Sequence, residues 1–195
     1  MLDTHYTIGL VSGVLAFAAN PIYVWSILQG KTRPDRVTWW IIAALNILIT
    51  ATSYELGARS TIWLPVAFSL SCSIIAILSV LYGEGPVQLT RLQVTCISGA
   101  CLAILLWYLS GSALLTLLLT MSIDFFGIIP TIYKTYLRPH TESSAAWIIA
   151  TVASALTIAA IDSWTVGIYA YPLYVFATNM LVTILILRGV PESNS

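Results

Sequence analysis

The sequence predicts an all-α membrane protein with seven transmembrane helices, on the strength of three observations. Of its 195 residues, 58% are hydrophobic and 8% are charged, whereas about a quarter of the residues of an ordinary soluble domain are charged. The few charged residues separate apolar segments of similar length. The chain also repeats itself at an offset of 107 residues. Because the polar residues are too few to cover a water-soluble domain, we expect the chain to lie in a lipid bilayer.

The first four spans are uncharged segments bounded by charged or turn-forming residues. A spanning helix needs about 20 apolar residues, since every backbone amide must be bonded within its own segment. The segments that meet this requirement are residues 6–30, 37–54, 60–83 and 92–109. The charged residues between them predict short connections.

The last three spans are marked by turn signals as well as by charge. A Ser-Gly-Ser sequence at residues 110–112 separates the fourth span from a fifth at residues 113–137. The sixth span, residues 144–161, ends before Asp162, and the seventh, residues 165–187, ends before Arg188. The fifth span contains a carboxylate far from either of its ends, Asp124.

The basic residues predict the orientation, because they are retained on the cytoplasmic side of a membrane. With seven spans, one set of helix ends carries only Arg59. The other set carries Lys31, Arg33, Arg36, Arg91, Lys134, Arg138 and Arg188. Asp3 and His5 stand where a secretory signal would carry basic residues, so the first span is expected to stay uncleaved. We therefore expect a multi-pass protein of the inner cell membrane, with its N-terminus outside and its C-terminus in the cytoplasm.

The composition argues against several classes of function. A net charge of +0 with scattered basic residues gives no patch for nucleic acid. Cys72, Cys96 and Cys101 lie inside apolar runs without the spacing of a zinc site or a disulfide framework. No motif places a nucleophile beside a base. We therefore expect a protein that is not an enzyme and that has no metal, no cofactor and no nucleic-acid partner.

The internal repeat comprises three helices. The residues that recur at the offset of 107 are residues 40–43 as 147–150, both Trp-Ile-Ile-Ala, Thr50 as Thr157, Glu55 as Asp162, and Pro65 as Pro172. With a shift of two residues, Pro21 also matches Pro130. The chain then divides into a first bundle at residues 1–88, a linker helix at 89–112 and a second bundle at 113–195. Because four spans separate corresponding points, the two copies have the same orientation in the membrane.

This arrangement of three, one and three helices resembles the PQ-loop and SWEET superfamily of transporters, as a seven-helix member of the bacterial type. The most specific sequence is P-T-I-Y-K-x(6)-T-E-S-S at residues 130–144, which is similar to the PQ-loop pattern of a proline, a basic residue and a Ser/Thr-rich turn. The resemblance covers nearly the whole chain and implies transport of a sugar, a vitamin or an amino acid. The glutamine that names the motif is replaced by Ile22 and Thr131, so the substrate stays open.

Asp124 is the strongest candidate for a functional residue. An ionised carboxylate without water or a partner costs several kcal/mol within a bilayer, and such residues are functional by default. Its expected partners are neutral donors such as Asn179, Thr120 or a tyrosine, or water in a cavity between the repeats. Because desolvation favours the neutral acid, Asp124 would suit proton uptake and release. The alternative is a permanently neutral acid that bonds a neighbouring helix.

Other candidates lie on small or polar stripes at helical spacing, which mark inward helix faces. The candidate substrate-binding residues are Asp124, Asn179, Thr120, Phe176, Cys72 and Asn20. The resemblance implies that Asn179 hydrogen-bonds the solute, as an asparagine in this region of SWEET proteins does, and Cys72 is its equivalent in the first repeat. The alternative for Asn179 is an interhelical hydrogen bond worth about 0.6 kcal/mol, and for the stripes it is close helix packing.

Gating is expected at prolines and tryptophans. A proline within a spanning helix frees a carbonyl and bends the helix, and tryptophan near a membrane surface acts as an anchor or a gate. The candidate gating and hinge residues are Pro21, Pro65, Pro130, Pro172, Trp40 and Trp147. A static bend is the alternative for the prolines.

Two classes of function remain for this scaffold. The first is a transporter or facilitator of a small polar solute by alternating access between the two bundles, with coupling to protons as an open alternative. The second is a receptor or assembly protein, which should carry basic residues within the membrane that this sequence lacks. The expected partners are the lipid bilayer and a small-molecule substrate, and the sequence is compatible with a homo-oligomer.

Overall fold

The computed structural model describes residues 3–18, 20–84, 89–139 and 142–188, without the side chains of residues 22, 92 and 130. Within these ranges the chain forms eight α helices and no strand. The helices are α1 Thr4–Phe17, α2 Asn20–Leu28, α3 Arg36–Glu55, α4 Trp63–Tyr82, α5 Arg91–Ser110, α6 Ala113–Leu137, α7 Ser144–Ala159 and α8 Val166–Arg188.

Five of the described helices are long and apolar enough to cross a membrane, namely α3, α4, α6, α8 and the Gln93–Ser110 part of α5. The helices α1 and α7 are apolar but shorter, with 14 and 16 residues. Large apolar side chains cover the outer surface, among them Leu81 at 73% and Tyr108 at 86% exposure. The chain therefore has the helices and the apolar surface of an integral membrane protein. Seven spans were predicted, and five of the described helices have the length and composition to cross a membrane; the seven-span arrangement stays a prediction.

The prediction that residues 6–30 form a single helix is wrong. α1 ends at Phe17 and α2 begins at Asn20. The reason lies at Pro21, which has no N–H to donate to the Phe17 carbonyl and whose ring would crowd it. Proline is well tolerated in the first turn of a new helix, and Pro21 is the second residue of α2. The break therefore follows from the proline that the sequence places there.

Polar side chains cap the starts of α3, α5, α6 and α7. Asp35 accepts a backbone N–H from the first turn of α3, and Ser112 and Ser143 do the same for α6 and α7. Thr90 and Gln93 form a capping box at the start of α5. Each of these caps satisfies an N–H group that the helix itself leaves unpaired.

The two halves of the chain pack their helices in the same order. In the first half, α4 lies between α1 and α3, and in the second half, α8 lies between α6 and α7. Among the described residues, α1 does not contact α3, and α6 does not contact α7. Between the halves, α1 packs against α7 and α3 packs against α6, so these contacts correspond when the halves are exchanged. α5 packs on α6 and α3.

The core lies where the two halves meet. Its buried side chains come from six helices, and several of them are small, which allows close helix approach. They are Ala16, Ile49, Leu64, Ala67, Leu117, Ala153, Tyr171 and Val175.

One end of the helix bundle is formed by residues 56–62 and 160–165. It lies across the bundle from the end that carries most of the basic residues and is called the opposite end below. Close packing at glycines is found here. A Cβ atom on Gly9 of α1 would overlap the backbone carbonyl of Ser60, and one on Gly13 would lie 2.6 Å from the Trp63 carbonyl oxygen. Glycine is required at both positions because backbone atoms cannot move aside as side chains do. Gly9 and Gly13 therefore allow α1 to pack closely against residues 60–63 before and at the start of α4.

Hydroxyl groups join the two halves at the opposite end. Ser12 Oγ donates to the Ala153 carbonyl at 2.7 Å and lies 2.5 Å from Thr157 Oγ1, which links α1 to α7. Ser60 Oγ donates to Asp162 Oδ2 at 2.8 Å. These bonds and the glycine contacts close this end.

The other end carries the basic residues and is called the basic end below; it is formed by residues 29–35, 83–84 and 138–139 with 142–143. Arg36 donates to the carbonyls of Ser79 and Gly83 at 3.0 and 3.1 Å. Cations at a helix C-terminus bind carbonyls that lack helical partners. Arg33 and Glu84 form an ion pair at 2.9 Å, so the start of α3 is tied to the end of α4.

Candidate functional site

Asp124 lies in the middle of α6 and is bonded by a tyrosine of α8. The Tyr174 hydroxyl donates to Asp124 Oδ2 at 2.6 Å. No described residue donates a hydrogen bond to Oδ1, and the ion pairs found in the described ranges do not include Asp124. One carboxylate oxygen is therefore held by the protein, while the other has no protein donor in the described part.

A cavity of about 260 Å³ lies between α3, α5 and α6 and reaches Asp124. It begins near the basic end, at Thr38 and Gln93 in the first turns of α3 and α5. Its lining is mostly apolar. The lining residues are Thr38, Ile41, Ile42, Leu45, Gln93, Cys96, Ile123, Asp124, Gly127, Ile128 and Thr131.

Gln93 ties α5 to the start of α3 at the basic end of the cavity. Its Nε2 donates to Asp35 Oδ1 at 3.0 Å and to Thr38 Oγ1 at 3.2 Å. Its Oε1 accepts from the Thr90 backbone N–H at 2.8 Å. Donors and acceptor of this amide are thus bound to protein, and the side chain is 9% exposed. Gln93 therefore positions the start of α5 rather than offering free groups to a ligand.

Gly127 leaves open space in the cavity wall. No heavy atom lies within 4 Å of the position that its Cβ would take, in contrast to Gly9 and Gly13. A larger side chain at this position would enter the cavity without meeting the backbone.

Asn179 and Cys72 are the predicted repeat equivalents. Asn179 contacts α7, and Cys72 contacts α3. Asn179 Nδ2 donates to the Ala150 carbonyl at 3.3 Å and to Ser154 Oγ at 3.5 Å. Asn46 Nδ2 lies 4.0 Å from Cys72 Sγ. Neither Asn179 nor Cys72 is among the residues that line the cavity. Their geometry is that of interhelical contacts.

The remaining predicted binding residues also lie away from the cavity lining. Thr120 is fully buried, and its hydroxyl donates to the Thr116 carbonyl within α6 at 2.8 Å. Phe176 is half-buried on α8. Asn20 begins α2 and is buried, and its Oδ1 finds no hydrogen-bond donor in the described ranges. Of the six predicted binding residues, Asp124 is the one that faces the cavity.

The four candidate hinge prolines occupy different positions in their helices. Pro21 follows the break between α1 and α2, and Pro172 lies inside α8. Pro65 lies in the first turn of α4, where a missing N–H breaks no helical bond. Pro130 lies within the range of α6, but its side chain falls outside the description. Of the three prolines whose side chains are described, Pro21 and Pro172 lie where a proline can bend the chain, and Pro65 does not.

The two candidate gating tryptophans differ in their surroundings. Trp40 is 52% exposed and borders a small apolar cavity of about 150 Å³ between α3 and α4. Trp147 is partly buried, and its Nε1 donates to Glu142 Oε2 at 3.1 Å. Glu142 also pairs with Lys134 of α6. Trp147 of α7 is thus linked through Glu142 to Lys134 of α6.

Two residues of the site were not singled out by the sequence. Gln93 could have been found, because Thr90 followed three residues later by Gln93 is a capping-box pattern. Tyr174 is one of ten tyrosines, and nothing local distinguishes it. Its role depends on how α8 is rotated against α6, which only tertiary packing determines.

No family model matches the chain, and neither the curated proteins nor the solved structures give a match. Function must therefore be inferred from the residues and their geometry.

Proposed function

We propose that this chain is a membrane transporter of a small polar solute that works by alternating access. The observation that carries the proposal is Asp124, a carboxylate in the middle of an apolar helix that borders a cavity and keeps one oxygen free of protein donors in the described part. A carboxylate so placed is costly to keep in a membrane protein without a task. Binding a solute or a proton in the cavity is such a task.

The moving parts in this proposal are two three-helix bundles, residues 1–88 and 113–195, joined by a linker helix at 89–112 as in the PQ-loop and SWEET superfamily. Their matching packing order supports this division, because α4 lies between α1 and α3 and α8 lies between α6 and α7. The spacing of the helices supports it as well. α3 and α7 start at Arg36 and Ser144, and α4 and α8 end at Tyr82 and Arg188, all close to the offset of 107.

Alternating access would exchange the closed and open ends of the molecule. In this structure the two bundles meet at the opposite end through contacts of α1 with α7 and of Ser60 with Asp162, while the cavity lies toward the basic end. Separating α1 from α7 breaks the bonds of Ser12. Interhelical hydrogen bonds in membrane proteins average about 0.6 kcal/mol, so this closure can open at moderate cost.

The orientation in this proposal places the basic end in the cytoplasm of an inner cell membrane, because basic residues are retained there. The cavity then lies on the cytoplasmic side of the contacts between α1 and α7. Coupling to protons is part of the proposal, since a carboxyl group that alternates between water and protein can bind and release a proton.

The test is uptake by liposomes that contain the purified protein. Sugars, amino acids, vitamins and amines are offered with and without a pH gradient. We expect saturable, pH-dependent uptake of at least one class in the wild type, uptake that no longer depends on pH in Asp124→Asn, and wild-type behaviour in Ser122→Leu. Ser122 is the matched control because it is exposed on the same helix and does not line the cavity. A folded wild-type protein that carries none of the classes would contradict the proposal.

A further inference from the structure

We infer that the cavity between α3, α5 and α6 takes a small molecule with one protonated amino group on a mostly apolar body. The inference rests on the proposed function, because it names the class of solute for the same site. It makes a separate claim about binding, which can be tested without transport.

The charge of the cavity indicates the polar group of the ligand. Among the described residues of the lining, Asp124 is the one carboxylate, and Lys, Arg and His do not occur. Tyr174 occupies Oδ2, and no described residue donates to Oδ1. A carboxylate oxygen accepts hydrogen bonds, and bonds from a cationic donor are about twice as strong as neutral ones. When Asp124 is ionised, an ammonium group meets both requirements, whereas an anion would be repelled.

The walls of the cavity indicate the rest of the ligand. Five of the lining residues are isoleucine or leucine, namely Ile41, Ile42, Leu45, Ile123 and Ile128, and none is aromatic. The amide of Gln93 is engaged by Asp35, Thr38 and Thr90. A sugar would therefore leave most of its hydroxyl groups without partners, which is unfavourable in a buried site. An apolar body loses no hydrogen bonds against these walls.

The volume limits the size of the ligand. A water molecule occupies about 30 Å³ of liquid, so a cavity of about 260 Å³ has room for roughly nine such groups. Because the cavity is partly open, this volume indicates about nine or ten non-hydrogen atoms for the part of the ligand that it holds. This is small for a ligand pocket, since such pockets commonly measure about 300–1,000 Å³.

The probes follow from charge and size. 2-Phenylethylamine has the predicted amino group and size, and 2-phenylethanol is its neutral counterpart with the same apolar body. Glucose represents the sugars. Binding of each probe to the purified protein in detergent is measured by titration calorimetry and by the rise in melting temperature that a ligand of the folded state produces.

We expect the wild type to bind the amine at least tenfold more tightly than the alcohol and to show no binding of glucose. In Asp124→Asn the preference for the amine should fall below twofold. Gly127→Leu should weaken both aromatic probes at least tenfold, because its side chain fills the cavity. Ser122→Leu adds a leucine to the exposed surface of the same helix, outside the cavity, and should bind like the wild type.

Several outcomes would overturn the inference. They are equal affinities of the wild type for amine and alcohol, absence of binding of either, tighter binding of glucose, and an amine preference that survives in Asp124→Asn. Full affinity in a folded Gly127→Leu variant would place the ligand elsewhere and would also overturn it. If Gly127→Leu does not fold, the comparison of wild type with Asp124→Asn decides alone.

Flux measurements separate this inference from the proposed function. Amine binding without amine flux in liposomes would contradict transport and leave the inference intact. Saturable uptake of a sugar without amine binding would overturn the inference and leave transport intact.

Discussion

The two carboxylate oxygens of Asp124 have different surroundings. Oδ2 accepts the Tyr174 hydroxyl at 2.6 Å, and Oδ1 has no donor in the described part of the chain. In the part of the lining that the structure describes, the other ionisable side chain is that of Cys96. The chemistry of the site at the scale of residues therefore depends on whether Asp124 carries a proton.

Replacing Asp124 by asparagine tests this dependence on protonation. The amide oxygen can still accept the Tyr174 hydroxyl, so we expect the variant to fold and to melt close to the wild type. Because an amide does not titrate in this range, the dependence of transport on pH should disappear. The measurement is uptake against external pH in liposomes, with Cys96→Ser as a control that should keep the wild-type pH profile.

A purely structural aspartate predicts a different pair of results. Asp124→Asn would then change the melting temperature, while whatever protein folds would keep the pH profile of the wild type. An unchanged profile in folded Asp124→Asn would refute a role in proton coupling.

The glycines provide a second prediction at the residue scale. Gly9→Ala should destabilise the protein by about 1–3 kcal/mol, because its Cβ meets the Ser60 backbone and the contact cannot relax by side-chain movement. Gly127→Ala should be neutral or stabilising by up to about 1 kcal/mol, since alanine favours helix and the space is open. Thermal unfolding of both variants in detergent measures this. Equal melting temperatures would show that α1 does not pack as described.

Helix boundaries at the scale of elements were largely predictable from sequence. Charged residues, caps and turns lie at the ends of apolar segments, and α6 has the bounds expected from the Ser-Gly-Ser break and Arg138. The break before Asn20 was missed, because an uncharged run was taken as one helix although Pro21 stood inside it. Which helices pack against each other could not be predicted from local sequence patterns. Asn179 was expected beside Asp124 but bonds Ala150, since helix rotation depends on the whole packed structure.

The prediction for α5, the linker helix of the proposal, concerns Gln93. Gln93→Leu keeps the volume but removes the bonds to Asp35 and Thr38, so we expect a loss of about 1–3 kcal/mol of stability and faster amide hydrogen exchange in the first turn of α5. Thr95→Ala is the control, because Thr95 is exposed on the same helix. Exchange that does not differ between the two variants would argue against Gln93 as the anchor of α5.

Orientation in the membrane is a prediction about the whole molecule. Single cysteines at Asp3 and at Ser195, which lies outside the described residues, should react with a membrane-impermeant reagent from opposite sides of intact cells. The physical reason is the concentration of basic residues at one end of the bundle. Labelling of both ends from the same side would contradict an odd number of spans and, with it, the parallel repeat.

The central claim about the whole molecule is that the two bundles separate at the opposite end during transport. Ser12 of α1 and Thr157 of α7 belong to different bundles, and their hydroxyl oxygens lie 2.5 Å apart. Thr151 and Thr183 form a similar pair at 2.8 Å between α7 and α8, within the second bundle. Cysteines at either pair should be close enough to form a disulfide.

The most direct measurement is uptake by the double variants Ser12→Cys/Thr157→Cys and Thr151→Cys/Thr183→Cys, before and after oxidation, with the three native cysteines replaced by alanine. We expect oxidation to abolish uptake in the first variant and a reducing agent to restore it, because the disulfide holds the opposite end closed. The second variant should transport equally in both states. Undiminished uptake by a fully oxidised Ser12→Cys/Thr157→Cys protein would contradict alternating access between the two bundles.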